Sequence, residues 1–203
     1  PYLVDRIELD VDFLAGEVRV RSELQVRRAP ATPPGTPFRL DGEELETLAI
    51  HLDGQPLVGE RQLLTAQSLT IVDPPAAFRL SSTVRLHPDD NTSLSGLYVS
   101  RDGYFTQCEA QGFRRITWFP DRPDIMARYT VTLHADRHRL PVLLANGNPV
   151  TQGEEDGGRH WARWDDPFPK PCYLFALVAA RLDALREPYL TADSRRVELA
   201  LFV

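Results

Sequence analysis

The chain has 203 residues, enough for one large domain or two small ones with a real apolar core. Its 42% hydrophobic and 26% charged content is that of an ordinary globular protein. A net charge of -6, with scattered Arg and Lys170 as the only Lys, excludes the basic surface that nucleic acid requires.

In chain order, residues 6–13 (RIELDVDF) alternate strictly, with Ile7, Leu9, Val11 and Phe13 on one face and Arg6, Glu8, Asp10 and Asp12 on the other. After Ala15-Gly16 the pattern resumes in EVRVRSELQVR, with Val18, Val20, Leu24 and Val26 in phase. Two period-2 runs joined through a glycine predict a hairpin with one wet face. A Pro-rich loop follows from Ala29 to Pro37. Short strands are then expected at 38–40, at 47–52 before the Asp53-Gly54 turn, at 68–72 and at 78–86.

From Asn91 the chain turns richer in aromatics and proline, and function is expected in this half. Residues 129–133 and 160–164 alternate again, as does the stretch from Arg195 on, while Arg122 to Arg128 has room for a turn or two after Asp121. Ala145–Asn148 and Gly157-Gly158 read as hairpin turns. No window carries helical periodicity, and the 17 Pro and 12 Gly punctuate strands every ten residues or so. That spacing predicts an all-β fold: layered antiparallel or mixed sheets in a β-sandwich or saddle-like domain with little helix. One β-rich domain is expected over 1–203. The start at Pro1 and the apolar end Val197–Val203 lead us to expect a piece of a longer protein.

No membrane span is predicted, because the longest apolar run, Tyr173–Ala180, is far short of the roughly 20 residues needed. Cys108 and Cys172 stand alone and are expected to be free thiols in a reducing, cytoplasmic compartment. His134-Ala-Asp-Arg-His138 has the spacing of the H-E-x-x-H zinc motif, but Ala135 takes the place of the Glu and the preceding YTVTL is a strand. On a strand the two imidazoles would stand about 13 Å apart, at roughly 3.3 Å per residue, so no metal is expected on this chain. There is no G-x-S-x-G elbow, no Lys-Ser/Thr to complete a phosphate loop, and neither Cys has a setting that would make a reactive thiolate. Trp161 and Trp164 are read as packing residues. No complete catalytic apparatus is legible.

Gln107 and Glu109, in T-Q-C-E-A, are the remaining candidates. In an extended chain both would face one way and Cys108 the other. The plain interpretation is a solvated charge at a strand end. The alternative is a carboxylate at a cavity rim that takes an ammonium, with the Gln carbonyl oxygen accepting a second N–H.

Three long stretches, NTSLSGLYVSRDGYFTQCEAQGFRRITWFPDRPDIMARY, LLANGNPVTQGEEDGGRHWARW and DPFPKPCYLFALVA, closely resemble the N-terminal domain of the bacterial aminopeptidase N family of gluzincin zinc metallopeptidases. The hairpin at 5–28, LDGEELETLAI and the closing REPYLTADSRRVELALFV fit the same pattern, so the resemblance covers essentially the whole chain. It implies a parent zinc alanyl aminopeptidase that removes N-terminal residues from peptides, with this β-rich domain packed on the catalytic domain as its intramolecular partner. H-E-x-x-H and G-A-M-E-N are both absent here, so the resemblance places zinc and its ligands outside this chain, which is expected to be inactive alone. It also implies that Gln107 and Glu109 bind the free α-amine of the peptide substrate, and that Phe113 to Asp124 is architectural. A stand-alone β-sandwich peptide-binding module, or a structural domain without catalysis, are the competing interpretations.

Overall fold

The computed structural model describes all residues, Pro1–Val203. There is no α-helix; five single 3-10 turns interrupt seventeen strands. The first half carries β1 (Tyr2–Phe13), β2 (Val18–Arg28), β3 (Phe38–Asp41), β4 (Glu46–Leu52), β5 (Gln55–Pro56), β6 (Gln62–Leu64), β7 (Ser68–Ile71) and β8 (Ala77–Leu86). Next come β9 (Gly96–Ser100), β10 (Gly103–Gln107), β11 (Ala127–Asp136), β12 (Val142–Ala145) and β13 (Asn148–Glu155). The last are β14 (Arg159–Lys170), β15 (Leu177–Ala180), β16 (Ala184–Leu190) and β17 (Arg196–Phe202).

The predicted all-β class holds, and the alternation explains its main layer. Eight strands form one sheet in the order β13-β14-β11-β1-β2-β8-β4-β5, antiparallel except where β1 runs parallel to β11. The hairpin at 5–28 is β1 paired with β2, closed by Leu14 N–H donating to the Glu17 carbonyl at 3.0 Å. Its inward face buries Ile7, Leu9, Val11, Phe13, Val18, Val20, Leu24 and Val26. On the outward face charges pair across strands: Arg21 with Asp10 at 3.0 Å, Arg27 with Asp5 at 2.8 Å and Arg85 with Glu46 at 2.7 Å.

Two smaller sheets, β12-β15-β10-β9 and β3-β7-β6, share one core with the inward face. Aromatic contacts join the layers: Phe13 to Tyr104 at 4.9 Å and Tyr2 to Phe38 at 5.1 Å. Ser22 interrupts the apolar phase of β2 and is nonetheless buried. Its hydroxyl lies 2.9 Å from that of Ser82 and accepts from Thr117 at 2.9 Å, which pins the 113–121 segment to the middle of the large sheet.

One local expectation changes and another is met. Asn146-Gly147 is a corner rather than a hairpin turn, because β12 pairs with β15 while β13 pairs with β14. Gly147 makes the step between sheets at φ +87, close against Asp165, and a local turn signal does not specify which strands its flanks join. Arg122 to Arg128 makes a single turn, Ile125 N–H donating to the Arg122 carbonyl at 3.2 Å, and is already strand from Ala127. The alternating apolar pattern of β11 wins over any helical tendency. β16 and β17 form a separate two-stranded sheet in which β16 is exposed throughout and only Val197 and Phe202 of β17 are half-buried.

Candidate functional site

The segment from Thr106 to Asp121 is set by backbone pairing at one end and a buried carboxylate at the other. β10 pairs with β9 as far as Gln107 opposite Gly96. The Thr106 hydroxyl accepts from Leu177 N–H at 2.9 Å, tying β10 to β15 where their ladder has ended. The alternation expected for the next residues is present: Gln107 is exposed, Cys108 is buried and Glu109 is exposed. The peptide bond between Glu109 and Ala110 is cis. Gly112 N–H donates back to the Cys108 carbonyl at 2.8 Å, closing a five-residue turn that leads into the 3-10 turn Phe113–Arg115.

Gln107 and Glu109 are joined within this turn, since the Gln107 side-chain amide donates to the Glu109 carbonyl at 3.2 Å. That bond engages the NH₂ end of the amide and leaves its carbonyl oxygen as an open acceptor. The Glu109 carboxylate makes no hydrogen bond or ion pair within the chain. The two arginines close to it in sequence are committed elsewhere. Arg114 donates from Nε to Asp121 at 3.0 Å, and the Arg114 backbone N–H donates to the same carboxylate at 3.1 Å. Arg115, with only 9% of its side chain exposed, pairs with both Glu43 and Glu44 and donates from Nε to the Ser95 carbonyl at 3.1 Å. So every cation of the F-R-R run is neutralised by a carboxylate other than Glu109, which keeps an uncompensated negative charge at the surface.

Asp121 is the anchor of this arrangement. Its side chain is 1% exposed, and it takes Arg114 on one oxygen and the Cys172 thiol, at 3.0 Å, on the other. Its backbone N–H donates to Asp41 at 3.1 Å. Burial, reinforced by the nearby Asp121 charge, pushes the Cys108 thiol up to about 12. Burial and the bond to Asp121 push Cys172 up as well. Both are free buried thiols that remain protonated near neutrality, which fits packing and not nucleophilic chemistry.

The other sequence candidates lie apart from this segment. His134 is on the outward face of β11, with Nδ1 2.7 Å from Glu155 and Nε2 3.3 Å from Asp10, while His138 sits in the turn after β11. Trp164 shares the buried-face register of Val131 and donates from Nε1 to the Leu143 carbonyl at 3.2 Å. Trp161, three residues earlier, is on the opposite face beside Gly153; both rings are half-buried. A cleft of about 310 Å³ opens beside Gln111 and Arg114; Gln107 and Glu109 are exposed and do not line it. The architectural expectation for Phe113 to Asp124 covers Arg115 and Asp121, but neither their partners Glu43, Glu44, Asp41 and Cys172 nor the glycines at 96 and 112 were legible, because those groups are distant in sequence. The one local signal was the density of F-R-R-I-T-W-F-P-D.

The family profile described as the peptidase M1 N-terminal domain matches residues 35–174. The chain is 47% identical over its whole length to aminopeptidase N of Caulobacter vibrioides and 44% identical to aminopeptidase N of Escherichia coli, spanning 23% of each of those proteins. Among solved structures, it superposes on Legionella pneumophila aminopeptidase A in complex with aspartic acid with a TM-score of 0.92 and 31% identity, over 99% of this chain and 24% of that one. The M1 zinc metallopeptidase of Deinococcus radiodurans shares the fold at a TM-score of 0.78 and 20% identity, over 98% of this chain and 46% of that one. With two thirds of its length under one family profile and its full length aligned to two aminopeptidases N, the chain belongs to the peptidase M1 N-terminal domain family.

Proposed function

We propose that this chain is the amine-recognising N-terminal domain of a zinc aminopeptidase, and that Glu109 with Gln107 binds the free α-ammonium of a peptide substrate. One observation carries the reading: an exposed carboxylate without an intramolecular partner, on a residue whose backbone carbonyl takes the Gln107 amide N–H and so leaves that amide's oxygen open, in a turn whose own arginines are neutralised by other acids. An α-amine with an ordinary pKa near 7.7–8.0 is mostly ammonium at neutral pH. Each charge-assisted hydrogen bond to it is worth roughly 1.5–3 kcal/mol. A carboxylate fixed at one end of a peptide site selects for a free N-terminus and sets how far into the substrate the reacting bond lies. It acts as a ruler.

The residues of this chain do not fit a zinc site, since no group of three or more His, Cys, Asp and Glu is arranged so that it could hold a metal ion; Asp10 and Glu155 face different nitrogens of the His134 ring. In this reading the metal and the hydrolytic step belong to the rest of the parent polypeptide, and alanine-type preference at the first residue is set there too. The chain contributes binding and orientation.

The test is Glu109→Ala in the full-length parent enzyme. The expected result is a fall in kcat/KM for an alanine arylamide of one to several orders of magnitude, with zinc content unchanged by metal analysis. Wild-type kcat/KM in that variant would remove Glu109 from the site.

A further inference from the structure

Gly96 and Gly112 meet backbone to backbone beneath the Gln107–Glu109 turn, and both are buried. Gly96 opposes Gln107 in the β9–β10 ladder, and Gly112 closes the turn through the Cys108 carbonyl. The Gly112 backbone, at φ -82 and ψ -18, is open to any residue. Conformation does not demand glycine here; space does. A Cβ on Gly112 would lie 2.2 Å from the Gln107 carbonyl oxygen, 2.9 Å from Cys108 Cα and 2.9 Å from Gly96 N. All three are backbone atoms, and none can swing aside as the end of a side chain would. The far wall is held by Arg115: its Cβ is 2.6 Å from where a Gly96 Cβ would stand, and its guanidinium fixes Ser95 to Glu43 and Glu44.

We infer that Gly112 is a positioning residue for amine recognition: its bare backbone sets where Gln107 and Glu109 stand, with Arg115 bracing the other side of the seat. The inference rests on the amine-binding reading of Glu109. Relieving the contact from 2.2 Å to an ordinary 3.4 Å moves the Gln107 carbonyl by about 1.2 Å if that side yields alone. Glu109 follows, because its carbonyl is bonded to the Gln107 amide. A misplacement of about 1 Å in a positioning group lowers rate by about 100-fold.

The experiment is a double-mutant cycle in the full-length parent enzyme, read as kcat/KM for an alanine arylamide. Gly112→Ala alone is expected to lower kcat/KM by about 10- to 100-fold. Added to Glu109→Ala, the same change should cost less than about 3-fold, since it acts through a group already removed. A full-size second loss on top of an impaired Glu109→Ala overturns the positioning role and leaves the amine reading standing. A silent Glu109→Ala overturns the amine reading itself, and the Gly112 inference with it. Where Gly112→Ala does not fold, Arg115→Gln releases the Ser95 carbonyl, next to Gly96 in the chain, without inserting an atom. A loss of several-fold that vanishes in the Glu109→Ala background supports the inference, and an additive loss overturns it.

Discussion

At the residue scale, the position of a charge in this domain is decided by what its neighbours leave unpaired. Glu109 is one case and His134 is its opposite. His134 lies between Asp10 and Glu155: Nδ1 bonds the Glu155 carboxylate at 2.7 Å, and Nε2, 3.3 Å from Asp10, is within ion-pair range without making a hydrogen bond. The contact with Asp10 raises the His134 pKa from its ordinary 6.5 against the opposing effect of burial, and Glu155 adds to the rise. On Asp10, burial pushes upward, but the nearby His134 and the bonds from Arg21 outweigh it and hold the carboxyl low. A raised folded-state value means that the stabilisation is fully present below pH 6.5 and is lost as pH rises through the higher folded pKa. His134→Gln should therefore weaken the chain at pH 6 by up to about 1 kcal/mol, the scale of a partly screened pair. The gap to wild type should close by pH 9. Urea unfolding at both pH values checks this, and a gap that stays constant with pH rejects it. The sequence disclosed that His134 lies on a strand. It could not disclose the two carboxylates, which arrive from β1 and β13.

At the element scale, period-2 alternation made the large sheet legible, because a strand with one face buried must repeat every second residue. Ile7 through Phe13 and Val18 through Val26 identify their own inward face without any knowledge of partners. Pairing order was not legible: β11 lies parallel beside β1 although more than a hundred residues separate them, and β12 and β13 join different sheets across one tight corner. The candidate turn divides in the same way. Exposure of Gln107 and Glu109 around buried Cys108 follows from alternation, whereas the seat formed by Gly96 and Gly112 needs two elements brought together. β16 and β17 are the exception among the strands. They pair only with each other and leave Leu185, Leu190, Leu199 and Leu201 more than half exposed. A lone two-stranded hairpin is marginally stable in water. Hydrogen exchange on the isolated chain should find the amides of Leu185–Tyr189 and Val197–Leu201 at least about 100-fold less protected than those of β1, β2 and β11. Equal protection would mean that the hairpin is held by packing rather than by its own ladder.

At the scale of the whole molecule, the proposed function makes Gln107 and Glu109 one wall of a site whose opposite wall lies on the rest of the parent polypeptide. Gln107 and Glu109 are exposed and lie outside the cleft beside Gln111 and Arg114, and the chain spans about a quarter of the curated relatives it matches. Two charge-assisted hydrogen bonds offer roughly 3–6 kcal/mol at best. Association alone costs about 4–15 kcal/mol in lost translational and rotational freedom. A Kd of 1 mM already needs a net gain of about 4.1 kcal/mol, so the isolated wall cannot reach it unaided. Isothermal titration of this chain with an alanine-initiated tripeptide should therefore give no saturable heat at millimolar peptide, and its N-acetylated counterpart should behave identically. Saturable micromolar binding, lost on N-acetylation and in Glu109→Ala, would establish instead a self-sufficient module for peptide N-termini. The missing energy would then have to come from a surface of this domain and not from the rest of the parent chain.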